Sequence, residues 1–251
     1  MKIAFIIFVL AIQLLQGCGR KNQVNPELGA TMPPKIIWAW ERPEDLRFLN
    51  AKDYGVAFLA QTIFLESDNV IPKPRRQPLQ LATGSYVIAV SRIETNKDGT
   101  KRPTFSPEMA KRVVSLIKTT LDLPDVKAIQ IDFDAVKSER EFYRMMMREL
   151  RAALPKQTPL TMTSLASWCT GDGWFNDFPV DEAVPMAFQM GADSENIKTY
   201  LRNGNDWTEP LCRGSYGISV DDPISVDLKP GRRVYFFKNN SWNKTDLEKI
   251  K

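Results

Sequence analysis

Eight apolar runs rich in β-forming residues follow one another along the chain after residue 34, and helical patterns separate several of them. The runs span residues 35–40, 55–64, 86–93, 128–134, 160–165, 183–189, 216–220 and 233–237. Strands that alternate with helices within one domain favour parallel βαβ units. Eight such strands predict a single (β/α)₈ TIM-type barrel. An open α/β sheet is the alternative, because several connections lack a clear helical pattern.

Helix start signals stand between some of these runs. Ser106 and Pro107 are typical of an N-cap and a first helical residue. Ser138, with Glu141 three residues later, has the spacing of a capping box. A shorter helix is predicted over residues 193–201, and another near Thr245 closes the chain.

The fourth run ends in two carboxylates that a strand would place on one face. In residues 128–134, apolar side chains alternate with Gln130, Asp132 and Asp134. Successive side chains of a strand point to opposite faces, so the polar set faces one way and the apolar set the other. This pattern is typical of the catalytic end of a barrel strand, where ligands of TIM barrels bind.

The predicted carboxyl ends of the other strands add acids, amides and tryptophans to the same rim. The rim residues are Trp40, Glu41, Glu66, Arg92, Glu94, Asp132, Asp134, Ser167, Trp168, Gln189, Asp221, Asp222 and 239–242. Sugars present apolar C–H faces ringed by hydroxyl groups, so indole faces beside acids and amides indicate a glycan site. We expect Asp134 and Asp132 to lie in this site. We expect the glycan to be bound by Trp40, Glu41, Arg92, Gln130, Trp168, Gln189 and Trp242.

Residues 127–134 also resemble the fourth-strand signature D-x-x-D-x-D-x-E of the family 18 glycoside hydrolases. Lys127 stands at the first Asp, Gln130 at the second, Asp132 at the third and Asp134 at the Glu. The resemblance implies a glycoside-hydrolase-like barrel in which Asp134 protonates the leaving oxygen and Asp132 orients the substrate's acetamide. Phe188 stands where that family tends to carry a tyrosine that holds the acetamide oxygen. The second catalytic group therefore stays open, with Glu41, Glu94 and Asp222 as candidates.

The chain after residue 34 as a whole resembles DUF3142, a family of bacterial lipoproteins and secreted proteins of unknown function. The residues that carry this resemblance lie at 37–40, 129–135, 164–169 and 184–186. It implies a fold and an exported protein, and no activity.

Several function classes lack the residues they need. The sequence has no histidine, which excludes Ser-His-Asp and Cys-His catalysis and His-ligated zinc. No Gly-rich phosphate loop follows a strand, so nucleotide chemistry has no support. The net charge of +4 comes without a basic cluster, so no nucleic-acid partner is expected. We expect no cofactor, no metal and a monomer.

The N-terminus has the pattern of a bacterial lipoprotein precursor. Lys2 precedes an apolar run, and residues 15–18 form a lipobox that ends in Cys18. We expect a signal peptide over 1–17, lipidation of Cys18, a tether over 18–34 and one barrel domain over 35–251. Gly19 after the lipidated cysteine favours the outer membrane. The expected partners are the membrane, through this lipid, and a polysaccharide or oligosaccharide.

Cys169 and Cys212 remain after Cys18 is assigned to lipid. Two cysteines in an exported domain most often pair, so a disulfide is predicted. Cys169 follows a strand whereas Cys212 precedes one, so the bridge requires a flanking segment to run along the barrel wall.

Together these features predict a lipid-anchored envelope protein that acts on a polysaccharide, with glycoside-hydrolase-like activity from the carboxylates of the fourth strand. Two alternatives stay open. One is a glycan-binding module on a degenerate barrel, which needs no ionisable Asp134. The other is a structural or assembly lipoprotein, in which Trp40 and Trp168 would be packed and the cleft filled.

Overall fold

A computed structural model describes residues 31–250, and eleven β-strands lie within that range. They are β1 (Lys35–Ala39), β2 (Glu44–Leu46), β3 (Tyr54–Glu66), β4 (Asn69–Pro74), β5 (Leu79–Leu81), β6 (Tyr86–Thr95), β7 (Val126–Asp132), β8 (Leu160–Leu165), β9 (Glu182–Met186), β10 (Ser215–Ser219) and β11 (Arg233–Phe237). The predicted signal peptide, Cys18 and most of the predicted tether lie outside the described residues.

Eight of these strands close into a parallel barrel. The hydrogen-bonded order is β1, β3, β6, β7, β8, β9, β10 and β11, and β1 pairs in parallel with both β3 and β11. Because β1 has a parallel partner on each side, these eight strands close on themselves. The predicted (β/α)₈ TIM-type barrel is therefore confirmed, and the open sheet is excluded.

Three α-helices within residues 31–250 lie outside the barrel: α1 (Pro107–Thr119), α2 (Arg140–Ala153) and α3 (Ser194–Arg202). Ser106 caps α1 as predicted, since its side chain accepts a hydrogen bond from the Met109 amide at 3.1 Å. The predicted capping box at Ser138 is wrong. Instead, the carboxylate of Glu139 accepts a hydrogen bond from the Val136 amide, three residues earlier, at 2.9 Å. No helix of this range is long and apolar enough to cross a membrane.

Several connections have no α-helix, which the sequence pattern left uncertain. Strand β4 pairs antiparallel with the long β3, and β2 pairs with β5 in a separate small sheet. A short helical turn (Trp168–Asp172) follows β8, and 3₁₀ turns precede β10 (Pro210–Gly214) and end the chain (Lys244–Ile250). The complete helices therefore flank only the β6-to-β8 part of the barrel and the β9-to-β10 crossover.

The alternating strand pattern creates two cores. One set of side chains packs inside the barrel, and it includes Ile36, Trp38, Ile88, Val184 and Tyr235. The larger set packs between the barrel and the surrounding helices. Burial of apolar area stabilises the fold by roughly 25 cal/mol per Å², so both faces of each strand contribute.

A buried ion pair lies at the amino-terminal end of the barrel. Arg233, the first residue of β11, pairs with Glu182, the first residue of β9, and both are almost fully buried. Arg233 Nε also donates to the Pro33 carbonyl at 3.0 Å. Met32 is only 5% exposed and packs into the barrel interior, so the chain already belongs to the folded domain at Met32.

The predicted disulfide between Cys169 and Cys212 is present, with the two Cα atoms 6.0 Å apart. The segment after β8 folds back along the outside of its own strand. As a result, Ser164 Oγ lies 3.1 Å from Cys169 Sγ and 3.8 Å from Cys212 Sγ. This descent of the chain along the barrel wall removes the topological obstacle to the bridge.

Candidate functional site

The two carboxylates of the fourth barrel strand lie at the carboxyl end of the barrel. Asp132 is the last residue of β7, and Asp134 follows two residues later. Asp132 is 4% exposed, whereas Asp134 is exposed to solvent. The alternation of the strand therefore sets Asp132 in the mouth of the barrel, with Asp134 above it at the rim.

A cleft of about 440 Å³, called here the wide cleft, opens over these carboxylates. Its lining combines apolar surface with a few polar groups. The lining residues are Trp40, Arg92, Asp132, Asp134, Leu165, Ala166, Ser167, Met186, Phe188, Gln189, Met190, Gly191, Asp193 and Ile197. Of the predicted site residues, the structure thus brings Asp132, Asp134, Trp40, Arg92 and Gln189 together.

A second cleft of about 220 Å³, the narrow cleft, lies on the other side of the same residues. Arg92, Asp132 and Asp134 line both clefts, and the narrow cleft adds Glu94 and Lys97. The two carboxylates therefore stand at a junction, with space for a ligand on either side of them.

Arg92 and Thr163 hold Asp132 in place. Thr163 Oγ1 donates to one carboxylate oxygen at 2.7 Å, and Arg92 Nη1 approaches the other at 3.4 Å. Arg92 Nε also donates to Glu94 at 3.1 Å, and the guanidinium lies 5.5 Å from the centre of the Trp40 ring. Thr163 was not among the predicted site residues, although it occupies an inward-facing position of β8 level with Asp132.

The pKa of Asp132 is raised to about 6, mainly by burial and then by the neighbouring charge of Asp134, while Arg92 and the Thr163 hydroxyl oppose the rise. Burial also raises the pKa of Asp134, against the effect of Arg92 and Lys97. Water reaches Asp134, so its carboxyl is the more readily ionised of the two. The pair therefore retains one proton well above the usual range of an aspartate, and that proton lies mainly on Asp132.

The floor of the wide cleft is a packed barrel interior. Trp38 Nε1 donates to Gln130 Oε1 at 2.8 Å, and Gln130 Nε2 donates to Thr161 Oγ1 at 3.2 Å. The Trp38 ring lies 4.3 Å from the Trp40 ring, measured between centroids. Gln130 is fully buried, so the prediction that it contacts a glycan is wrong. Its role is to satisfy the indole N–H of Trp38.

Trp168 and Trp242 do not line the wide cleft, and the prediction that they bind a glycan there is also wrong. Trp168 is 3% exposed and packs edge-on against Trp174, on the segment that folds back beside the disulfide. Trp242 is 5% exposed and donates its indole N–H to the Trp38 carbonyl at 3.0 Å. Trp40 is the single tryptophan among the described residues that line this cleft.

The three candidates for a second catalytic group lie in different places. Glu94 lines the narrow cleft beside Asp134. Glu41 lies outside both clefts, where its carboxylate accepts the Arg76 amide at 3.1 Å. Asp222 accepts the Gln189 amide at 2.9 Å, and Gln189 itself has a positive φ of 48°. Asp222 therefore acts as the support of a cleft residue.

The raised pKa of Asp132 predicts an unusual pH dependence of stability. The native state holds the Asp132 proton up to about pH 6, whereas an unfolded aspartate releases it near pH 4. The native state therefore binds more protons in this window, and the free energy of unfolding falls as the pH rises through it. At pH 7.5 the ionised, buried Asp132 costs up to about 3 kcal/mol.

We therefore expect Asp132→Asn to be more stable than wild type at pH 7.5, and this advantage to shrink toward pH 4. Urea unfolding followed by tryptophan fluorescence at both pH values measures the difference. Asp122→Asn, at an exposed position before β7, is the matched control. A loss of stability in Asp132→Asn that is the same at both pH values would show that Asp132 is ionised and well paired in the native state.

No family model matches the chain, and no curated protein matches it. Among the described residues, no group of histidine, cysteine, aspartate and glutamate side chains is arranged to hold a metal. One solved structure that the chain resembles is the spore cortex-lytic enzyme SleL of Bacillus cereus, at 15% identity and a TM-score of 0.46. The match covers 74% of this chain, which spans about half the length of that structure (50%).

Proposed function

We propose that this protein is a hydrolase that cleaves a glycosidic bond at the junction of the wide and narrow clefts. One observation carries the proposal. A buried carboxyl with a raised pKa, Asp132, lies beside the exposed Asp134 at the carboxyl end of the fourth barrel strand, with space for a ligand on both sides. Active sites of TIM barrels lie at this end, and titratable groups with shifted pKa values concentrate at such sites.

The surface of the wide cleft suits a sugar. Trp40 and Phe188 offer flat apolar faces, and Ser167 and Gln189 offer a hydroxyl and an amide at the same rim. A volume of about 440 Å³ is within the range of small-ligand sites, which combine a mostly apolar lining with a few orienting polar groups.

In the proposed reaction, Asp134 donates a proton to the glycosidic oxygen as the bond from that oxygen to the anomeric carbon breaks. A water molecule supplies the hydroxyl group that the anomeric carbon gains. Its remaining proton passes to the carboxylate that activates the water and from there returns to the Asp132–Asp134 pair. Asp132 supplies the shared proton to Asp134, and Arg92 and Thr163 position Asp132. Glu94 is the second carboxylate best placed to activate the water, because it lines the narrow cleft with Asp134.

A glycan-binding module without cleavage is the second candidate. Phe188 favours it, because this residue of the wide cleft has no hydroxyl with which to hold a substrate acetamide. Binding requires the apolar face and the amide of the cleft but no proton transfer. The two candidates therefore differ in whether a bound glycan is cut.

A glycan array probed with the full chain in detergent, followed by product analysis of each glycan that binds, tests the proposal. We expect at least one bound glycan to be shortened, with turnover that falls above about pH 6 as the carboxylate pair loses its proton. Binding without shortening at any pH from 4 to 9 would favour the binding module. Absence of both would refute both candidates.

We also propose that the protein is anchored in the bacterial envelope through lipid on Cys18, on the basis of the lipobox in residues 15–18. We expect Cys18→Ser to block maturation, so that an unprocessed precursor accumulates. Mass spectrometry of the membrane and soluble fractions measures this, with Asp122→Asn, an exposed substitution that leaves the lipobox intact, as the control. Processing and sorting of Cys18→Ser like wild type would refute the anchor.

A further inference from the structure

A third cleft, here called the side cleft, adjoins the reaction centre. Its volume is about 380 Å³, and Lys97 lines both it and the narrow cleft. The loop after β6 supplies Lys97, Arg102 and Phe105, and the turn before α2 supplies Val136. The three clefts therefore follow one another across the carboxyl end of the barrel, with Asp132 and Asp134 inside the series.

The side cleft carries two exposed cations. Arg102 is exposed, and it forms no ion pair with any residue between positions 31 and 250. Glu139 also lines the side cleft, and its carboxylate lies 2.7 Å from Lys97, but the Glu139 side chain is 6% exposed whereas the Lys97 side chain is 60% exposed. Glu139 also accepts hydrogen bonds from the Thr95 hydroxyl and the Val136 amide. Because an ammonium has three donors, Lys97 retains hydrogen-bonding capacity toward a ligand.

Apolar surface lies beside these cations. The Phe105 ring is held in a stacked arrangement with Phe142, with ring centroids 4.5 Å apart. Val136 is 49% exposed, which is unusual for a large apolar side chain in the described part of the chain. Apolar faces next to a guanidinium and an ammonium match a sugar ring that carries an anionic substituent.

The wide cleft has the opposite character. Arg92 is its single cation, and it already contacts Glu94 and Asp132. Asp193 and Asp134 add carboxylates to the same lining. An anionic group is therefore disfavoured at this end and favoured at the side cleft.

We propose that the side cleft is a binding subsite for an anionic sugar, so that the substrate is an acidic polysaccharide lying across all three clefts. This inference rests on the proposed function. Because the reaction centre has clefts on both sides, cleavage occurs within the chain rather than at its end. The substrate places neutral sugar in the wide cleft and a carboxylate- or sulfate-bearing sugar beside Lys97 and Arg102.

The test compares three octasaccharide probes by titration calorimetry with the full chain in detergent at low salt. One alternates uronic acid with N-acetylhexosamine, the second is its carboxyl-reduced form, and the third is the reduced form after sulfation. We expect at least one anionic probe to bind about 5–20-fold more tightly than the neutral probe, with the advantage lost at high salt. The comparison of the two anionic probes identifies the anion.

Arg102→Gln should remove most of this advantage, because it lowers the affinity for the anionic probe more than the affinity for the neutral probe. Lys156→Gln removes one exposed positive charge at the opposite end of the barrel, so it controls for net charge. Equal affinity for all probes, or equal losses in the two variants, would overturn the subsite. If the neutral probe still binds and is cut, the proposed function survives that result. If no probe binds or is cut, the inference and the proposed function fail together.

Discussion

Asp134→Asn is expected to lose about 10²–10⁴-fold in kcat on a glycan that wild type cleaves, and to keep its affinity for that glycan. Asparagine has nearly the same shape but carries no acidic proton, and general acid catalysis typically contributes a factor of this size. Asp134 is exposed at the junction of two clefts, so the substitution leaves no buried group without a partner.

Two further variants separate the roles at the junction. Asp132→Asn is expected to lower kcat and to change the pH profile, because it removes the buried group that holds the shared proton up to about pH 6. Glu94→Gln is expected to lower kcat while the limb of the profile above pH 6 stays in place. Asp122→Asn, far from the clefts, is the control that should match wild type.

The measurement is kcat and KM for each variant from pH 4 to 9 on one glycan of defined length. A wild-type rate in Asp134→Asn would place the proton donor elsewhere on the rim. A large increase in KM with unchanged kcat would mean that Asp134 binds the glycan and does not transfer a proton.

Loss of the disulfide is expected to be the largest effect on stability. The bridge joins residues separated by 43 positions, and closing a loop of this length contributes about 4 kcal/mol in the chain-entropy model. The loop contains β9 and α3, so it carries part of the barrel wall and part of the wide cleft. Reduction should therefore lower the urea midpoint strongly.

Urea unfolding of the wild-type chain with and without a phosphine reductant measures this effect without any substitution. Both sulfurs are fully buried, so native protein should resist alkylation until urea opens it. The double variant Cys169→Ala with Cys212→Ala provides a second measurement, in which the lost packing adds to the lost crosslink. An unchanged midpoint under reduction would mean that the unfolded chain is already constrained without the bridge.

Local patterns in the sequence were sufficient to predict the barrel strands. All eight predicted runs overlap a strand of the barrel, and the predicted limits of β8 and β11 agree with the structure. The alternation that places Asp132 on the inward face depends only on the period of two of an extended chain. The Ser106 cap is equally local, since one side chain meets a backbone amide three residues away.

Contacts between distant segments determine the positions of the site residues that were predicted wrongly. The irregular connections have no residue periodicity from which their path could be inferred. Trp168 and Trp242 follow barrel strands in the sequence, yet Trp168 packs against Phe175, and Trp242 donates its indole N–H to the Trp38 carbonyl. Gln130 shares the face of Asp132, but it lies one layer deeper in the barrel. There its side-chain oxygen accepts a hydrogen bond from Trp38 of the first barrel strand.

In the clefts, too, some features follow from the local sequence pattern and others from tertiary contacts. The local pattern of residues 128–134 is enough to place two acids on one face at the end of β7, because it requires only the alternation of an extended strand. Closure of the barrel then brought Arg92 of β6 and Thr163 of β8 to Asp132, and Trp40, the residue after β1, to Arg92. The pKa of Asp132 follows from the resulting burial, a property of the packed tertiary structure that no single segment contains.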